Sequence, residues 1–303
     1  MLHKKLLRDL WHYKGQFFTI FLMVFIGMMA FSGIHGYMDG MDLSAKKYYE
    51  DCNLQDLWIS NTTISKNDIK DLENLDHVKD VNRALVLNSK LKGYKDVTLE
   101  TNIIENNTVS KMYVVKGEKF SNAKEGLWMD SYLAKALNIK VGDTLKLDVS
   151  GQIVRLEVLG LVNTPDHVYF VKDSTEIFPN HENYGYVYIS SDTFSKKVLH
   201  GMDVTYTKAY IDVDLKKNVE SVKKQIQNDF DFISVTNRDV SFSYAGYQSE
   251  VEEGQTYAPV FTGIFLMIAI LSVMSTMNRF VRQQRVQIGT LKAIGFKNRK
   301  IYM

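Results

Sequence analysis

Two long apolar runs without charged residues, one near each end of the chain, constrain this sequence more than any other feature. The first reads FFTIFLMVFIGMMAFSGI from Phe17 to Ile34, and the second reads APVFTGIFLMIAILSVMSTM from Ala258 to Met277. A helix needs about 20 apolar residues to cross the roughly 30 Å hydrocarbon core of a bilayer. We therefore predict transmembrane helices at residues 17–36 and 258–277.

Each run has an alternative interpretation. The first follows a basic flank, MLHKKLLRDLWHYK, and could be a cleaved signal peptide. Its apolar stretch is longer than that of a usual signal peptide, and no A-x-A type cleavage site follows it, so a retained anchor is favoured. The second run could be a helix buried in a protein core, but its length and lack of charge favour a membrane span.

Basic residues flank both runs on the sides that face the chain ends. They are Lys4, Lys5, Arg8 and Lys14 before the first run, and Arg279, Arg282, Arg285, Lys292, Lys297, Arg299 and Lys300 after the second. By the positive-inside tendency, residues 1–16, read as an amphipathic helix, and residues 278–303 are cytoplasmic, and the large middle region is extracytoplasmic. With 37 basic and 35 acidic residues the net charge is +2, which indicates no nucleic-acid partner and favours contact with the lipid bilayer.

The middle region, residues 45–255, reads as alternating strands and helices. DLWIS, a helix near residues 66–75 and VKDVNRALVL form one strand-helix-strand unit, and KAYIDVD, a helix over 215–230 and FISVTNR form a second. We predict a two-lobed α+β domain. Lobe 1 comprises residues 55–105 and 205–240, and lobe 2 is an insertion over residues 110–200.

The insertion contains its own strand and turn signals. It carries KMYVVKGE, the short helix DSYLAKALNI and a strand pair, DTLKLDVSGQIVRLEVLGLV, with Ser150 and Gly151 at the turn. Tyr184, Tyr186 and Tyr188 alternate as in a strand with one face in the core and the other in solvent. An exposed tyrosine row that meets a partner is the alternative.

Sequence motifs for catalysis are absent. The chain has no G-x-x-x-x-G-K-[ST], H-E-x-x-H, paired C-x-x-C or G-x-S-x-G motif. Asp166-His167 and His181-Glu182 could be imagined as metal ligands, but their spacing favours surface or hydrogen-bonded histidines. We predict a non-catalytic chain with no metal or cofactor of its own. The single cysteine, Cys52, has no partner for an internal disulfide.

Small residues recur at every third position in both apolar runs, where they would let two membrane helices approach closely. They are Gly27, Ala30 and Gly33 in the first run and Ala269, Ser272 and Ser275 in the second. The alternative is that such residues are simply common in membrane helices.

Two longer segments resemble a known family. RFVRQQRVQIGTLKAIGFKNRKI, from Arg279 to Ile301, resembles the segment after the second transmembrane helix of FtsX-like permeases, the membrane subunits of MacB-type ABC transporters. GLWMDSYLAKALNIKVGDTLKL, from Gly126 to Leu147, is similar to part of the family's extracytoplasmic core. Gln287 stands where the family often has glutamate, and further spans are expected beyond Met303.

The resemblance implies a function in force transmission. A separate ABC ATPase, which holds ATP and magnesium, would contact the segment after the second span and move the extracytoplasmic domain. The residues that the resemblance assigns to this contact are Arg285, Val286, Ile288, Gly289, Leu291, Lys292, Ile294, Gly295 and Phe296. The resemblance further implies a second permease copy or homologous half, an extracytoplasmic protein or peptide substrate, and a bacterial cell membrane of Gram-positive type.

Two other classes of function remain open at this point. The chain could be a two-span receptor whose extracellular domain senses a ligand, although few residues follow the second span to carry a signal output. It could also be a structural or adhesion protein of the cell surface, for which the cytoplasmic motif would have no purpose.

Overall fold

The computed structural model of the chain describes Trp11, residues 14–172 and residues 179–295. The chain divides into two compact units, one within Met1–Asp42 and Glu250–Met303 and the other from Leu43 to Ser249. Most of the amphipathic helix predicted for residues 1–16 lies outside the described residues.

The secondary structure alternates between strands and helices from Leu57 to Asn237, with a long helix before and after. The helices are α1 (Lys14–Asp51), α2 (Lys66–Glu73), α3 (Ser131–Ala136), α4 (Ser191–Lys197), α5 (Val219–Asp229), α6 (Phe242–Gln283) and α7 (Arg285–Ala293). The strands are β1 (Leu57–Ser60), β2 (Val78–Lys92), β3 (Thr98–Ile104), β4 (Tyr113–Gly117), β5 (Leu127–Asp130), β6 (Thr144–Val149), β7 (Gln152–Asn163), β8 (Tyr184–Ser190), β9 (Lys208–Val213) and β10 (Ser234–Asn237). Short 3₁₀ helices include Pro165–His167.

The helices α1 and α6 are long and apolar enough to cross a membrane, and only 6% of the apolar window of each is buried within the protein. Both continue past the predicted spans. At 1.5 Å per residue, α1 extends roughly 22 Å beyond residue 36, and α6 begins roughly 24 Å before Ala258. Pro259, next to the start of the predicted second span, lies inside α6. There the missing amide removes one hydrogen bond from the helix.

The two strand-helix-strand units predicted from the sequence are confirmed, and they interleave. Strand β9 lies between β1 and β2 and is antiparallel to both, while β10 pairs with the other edge of β1. The resulting order, β10-β1-β9-β2, is that of a ferredoxin-like βαββαβ fold in which the first and last strands are adjacent. Helices α2 and α5 cover it, and Leu72, Val222 and Ile226 fill its core.

The second lobe continues the same sheet. Strand β2 is long enough to pair with β9 at its start and with β3 and β6 towards its end. From there the order is β3-β8-β5-β7-β4, and the predicted hairpin of β6 and β7 is confirmed. Leu91, Val97, Leu99 and Ile103 pack into the core of this second lobe. Residues 91–104 therefore lie with the insertion, whereas the sequence interpretation placed them in lobe 1.

Strand β8 is buried on both faces, so the expectation that one face of the tyrosine strand meets solvent was wrong. Val187 and Ile189 face the core of the second lobe. Tyr186 and Tyr188 lie in a separate cluster with Trp128 and Met112 on the other face. The tyrosines are thus core residues, because further chain covers the sheet on that side.

Candidate functional site

Helix α7 follows α6 after the single residue Gln284. Its backbone hydrogen bonds begin with the amide of Ile288 donating to the carbonyl of Gln284 at 2.9 Å. Gly295 ends the helix with a φ of +89°, a left-handed conformation that glycine adopts without strain, and its amide donates to the carbonyl of Lys292 at 3.0 Å. The glycine at this position therefore has a defined local role as the residue that stops the helix.

The apolar side chains of α7 that the structure describes are largely uncovered. Val286 is 80% exposed and Ile294 is 69% exposed, while Ile288 is half-buried. Arg285 and Lys292 are exposed, and so is Gly289, which has no atom within 4 Å of where a Cβ would lie. The side chain of Leu291 and all of Phe296 lie outside the described residues. An exposed apolar side chain beside a cationic one suits contact with either a protein partner or a lipid surface.

Within the first unit, α1 and α6 contact each other along much of their length. Ser272 Oγ lies 3.7 Å from Met23 Sδ, and Gln255 Nε2 donates to Asp39 Oδ1 at 3.1 Å. A Cβ built on Gly27 would lie 2.8 Å from the Cβ of Phe265. Residues further along α1 meet residues earlier in α6, so the two helices are antiparallel.

The small-residue stripes only partly follow this contact. Gly27 and Ala269 are buried in it, and Ala30 and Ser272 are half-buried, but Gly33 and Ser275 are exposed. An α-helix turns by about 100° per residue, so a three-residue repeat shifts by about 60° at each step. The last member of each stripe, Gly33 in α1 and Ser275 in α6, has therefore rotated off the contact.

The second unit contains a buried ionic trio that the sequence interpretation missed in part. His167 Nε2 lies 2.9 Å from Glu100 Oε1, and His167 Nδ1 lies 2.9 Å from Asp166 Oδ1 and 2.7 Å from Thr164 Oγ1. The side chains of His167, Asp166 and Glu100 are 6%, 12% and 23% exposed. Asp166 and His167 are adjacent in sequence, but Glu100 comes from β3, and only the sheet pairing brings it to the histidine.

The environment of the trio holds it in its charged form. Burial alone would lower the pKa of His167, but the neighbouring carboxylates of Asp166 and Glu100 raise it to about 10. Burial likewise opposes ionisation of both carboxyl groups, yet the imidazolium holds the pKa of each below its usual range. Both imidazole nitrogens then donate to oxygen atoms, and an imidazolium with two donors cannot ligate a metal. In the described part of the chain, no group of three or more histidine, cysteine or acidic side chains is arranged to hold a metal ion.

His181 and Cys52 have ordinary surroundings. The ring of His181 stacks on Tyr132 with centroids 5.0 Å apart. Cys52 is buried without a disulfide, and burial raises the pKa of its thiol to about 11. The thiol therefore stays protonated and unreactive at neutral pH.

The comparison with protein families matches almost the whole chain in two consecutive segments. Residues 17–229 match the MacB-like periplasmic core domain, and residues 259–303 match the FtsX-like permease C-terminal domain. The chain belongs to the MacB and FtsX-like permease family. No curated protein matches the chain. As an ABC transporter permease the chain is a membrane protein, and family membership indicates a non-catalytic subunit with an ATPase partner and a paired permease subunit.

Solved structures of extracytoplasmic domains resemble this permease at low sequence identity. The extracellular domain of the ABC-type transporter YknZ from Gram-positive bacteria has 16% identity and a TM-score of 0.40, with 58% of this chain and 92% of that one covered. The periplasmic region of MacB from Actinobacillus actinomycetemcomitans has 12% identity and a TM-score of 0.38, with 69% and 98% covered. A domain of a putative permease protein from Porphyromonas gingivalis has 12% identity and a TM-score of 0.35, with 59% and 82% covered.

Proposed function

We propose that this permease subunit couples ATP hydrolysis by a separate ATPase to movement of its extracytoplasmic domain, and that α7 is the contact with the ATPase. The observation that carries the proposal is the exposed apolar side chain of Ile294, at the end of a helix directly after an apolar α6 and about 60° around the helix axis from Leu291. The same residues fall within the match to the FtsX-like permease C-terminal domain. Exposed apolar side chains contribute most to binding energy when a protein partner covers them and excludes water.

The connection between the contact and the rest of the chain is short and helical. One residue, Gln284, separates α7 from α6, and α6 is a continuous helix of 42 residues up to Phe242. A displacement of α7 by the ATPase would therefore pass along α6 without a flexible linker. Pro259 is the position in α6 where the helical hydrogen bonding is weakened, so bending is expected there.

Arg238 lies where residues near the ends of both long helices approach β1. Arg238 Nε donates to the carbonyl of Gln55 at 3.0 Å, and its Nη2 lies 3.1 Å from Asp56 Oδ1. Its guanidinium also lies over the ring of Tyr244 near the start of α6, and Tyr244 packs against Tyr49 near the end of α1 with centroids 5.4 Å apart. Arg238 is suited to hold the two helix ends and β1 together, so a movement of the helices would reach the sheet.

We propose that the result is a movement of the extracytoplasmic domain. Such movement would serve export, the handling of lipoproteins or antimicrobial peptides, or the activation of a cell-wall hydrolase. ATP and magnesium would be bound by the partner ATPase, and a second permease copy or a homologous half would complete the complex. We place both ends of the described chain in the cytoplasm of a bacterium of Gram-positive type, and the second unit outside.

The test replaces Leu291 and Ile294 with aspartate in the permease expressed with its ATPase. Burying unpaired charge in the contact costs about 3 kcal/mol, which weakens assembly roughly a hundredfold. We expect the ATPase to be lost on copurification of the permease and permease-stimulated ATP hydrolysis to fall to the rate of the ATPase alone. Ala293→Asp is the matched control, because Ala293 lies about 160° around the helix from Leu291.

A lipid-facing α7 would give a different result. In that case the double variant would insert poorly or accumulate at a lower level, and the inserted fraction would still bind the ATPase. Retained copurification with full stimulated hydrolysis in the double variant would contradict the proposal.

A further inference from the structure

An open cleft of about 460 Å³ lies on one face of the sheet in the second unit, and the coupling proposal does not use it. This volume is in the range of pockets that bind small organic ligands and short peptide segments. Six aromatic residues line it: Trp58, Tyr169, Phe170, Tyr184, Tyr210 and Phe242.

The sheet register and ring packing hold these aromatic walls in place. Trp58 and Tyr210 are directly opposite each other on the neighbouring strands β1 and β9. The ring of Phe170 stacks on Tyr184 with centroids 4.8 Å apart and an angle of 18° between the planes. The faces of such rings carry partial negative charge and attract cations, Trp most strongly.

The ionic trio contributes to the lining of the same cleft. Glu100, Asp166 and His167 all line it, and two carboxylates share one imidazolium, so the trio carries a net charge of −1. Both hydrogen bonds that the structure describes for Glu100, from His167 and Asn102, use Oε1. Oε2 of Glu100 keeps its capacity to accept from a ligand, since an ionised carboxylate can accept on both oxygen atoms.

Two lysines also line the cleft, but their charge is less effective there. The ammonium of Lys208 donates to Ser60 Oγ at 2.7 Å, and Lys172 is exposed to solvent. The charge of Lys172 is screened by water, and Lys208 is half-buried with its ammonium held at Ser60. Glu100 Oε2 and the aromatic rings are the groups inside the cleft that attract a ligand cation.

We propose that this cleft binds a cationic amphiphile, a ligand that carries an ammonium group beside an aromatic or branched apolar group. The ammonium contacts Glu100, and the apolar part lies between Trp58, Tyr210 and Phe170. A basic peptide segment and a small organic amine share this chemistry. Binding of this ligand does not depend on the ATPase. A role of the ligand as transported substrate, in contrast, rests on the proposed function.

The test is a calorimetric titration of the whole chain in lipid nanodiscs with two matched peptides. One is N-acetyl-Phe-Lys-Phe-amide, and the other has norleucine in place of lysine. We expect the lysine peptide to bind roughly tenfold more tightly to the unmodified protein, which corresponds to one cation contact. In Glu100→Gln, the preference for the lysine peptide should fall to about threefold or less, the part that the aromatic rings supply.

Control variants separate binding from folding. Glu157→Gln, an exposed position on β7, should leave both affinities unchanged. Trp58→Leu should weaken both peptides, and it provides the test if Glu100→Gln does not fold. Displacement of the lysine peptide by 2-phenylethylamine would support a small amine as ligand, and peptide binding without such displacement would support a peptide segment.

Three results would overturn the proposal. The first is equal binding of the lysine and norleucine peptides by the unmodified protein. The second is tighter binding of a third peptide, N-acetyl-Phe-Glu-Phe-amide, than of the lysine peptide. The third is that neither the lysine peptide, the norleucine peptide nor 2-phenylethylamine binds. The titration contains no ATPase, so a failure of the coupling proposal would leave its result unchanged.

Discussion

At the scale of single residues, the second unit depends on charges that are buried together. His167, Glu100 and Asp166 would each be costly to bury alone, because an isolated charge loses its hydration. Together they satisfy one another at 2.9 Å, and the ring of His167 stacks on Tyr186 with centroids 4.3 Å apart. Removal of the imidazolium would leave two buried carboxylates without their shared cation.

We predict that this trio makes stability depend on pH. The pKa of His167 is about 10 in the folded chain and about 6.5 for an unfolded histidine, so its stabilisation is complete below pH 6.5 and is lost as the pH rises towards 10. The lowered pKa values of Glu100 and Asp166 act in the opposite direction, and their stabilisation is lost only below about pH 4. The melting temperature of the second unit should therefore fall between pH 6.5 and 10.

Thermal unfolding of the whole chain in detergent, followed by far-ultraviolet circular dichroism, measures this effect. His167→Gln should melt at a lower temperature and lose most of the fall between pH 6.5 and 10. His77→Asn is the control, because His77 pairs with Asp214 at an exposed site and asparagine tolerates its φ of 71°. An unmodified chain whose melting temperature stays level over this range would contradict the account of the trio.

At the scale of elements, local patterns predicted the two strand-helix-strand units and the hairpin of β6 and β7. The interleaving of β9 between β1 and β2 could not be predicted, because pairing between distant strands leaves no mark in a short window of sequence. Strand β3 was missed since Glu100 and Asn102 interrupt its apolar pattern. Glu100 contacts His167 and Asn102 donates to Glu100, so the residues that make the site are also those that obscured the strand.

The candidate site on α7 could be predicted from local sequence. The exposed apolar positions of α7 follow from a helical pattern that can be read directly from the sequence. For the α1–α6 contact, the sequence predicted that small residues would let the two helices approach closely. It could not predict which of these residues lie in the contact, because a three-residue repeat does not specify which of its members face a neighbour.

We predict that the two glycines of the α1 stripe differ sharply in their tolerance of a side chain. Gly27→Val would place a Cβ within 2.8 Å of Phe265 Cβ, whereas Gly33 has no atom within 4 Å of the same position. Overpacking of this kind costs about 1–3 kcal/mol, so Gly27→Val should separate the helices and Gly33→Val should not.

Disulfide crosslinking between cysteines at positions 23 and 272 reports the separation, in a chain where Cys52 is replaced by alanine. The two positions are in contact through Met23 Sδ and Ser272 Oγ. The yield should fall several-fold in Gly27→Val and stay unchanged in Gly33→Val. Equal yields in both variants would mean that this contact does not hold the helices together.

At the scale of the whole molecule, the chain combines two apolar helices suited to lipid with an α+β domain suited to water. The apolar windows of α1 and α6 are almost entirely uncovered by protein, as suits helices in lipid, while the second unit buries its own cores around one sheet. α7 falls within the match to the FtsX-like permease C-terminal domain, and we propose it as the segment that meets an ATPase. The central claim of the account is therefore that α7 contacts that ATPase.

The most direct measurement of this claim is photocrosslinking in cells from benzoylphenylalanine placed at position 294, with position 293 as the matched control. Ile294 is on the same side of α7 as Leu291, and Ala293 is about 160° from Leu291. We predict a crosslinked product at position 294 that mass spectrometry identifies as the permease joined to an ABC ATPase, with little of it at position 293. Products at position 294 that contain only lipid or the permease itself, or equal ATPase products at both positions, would contradict the account.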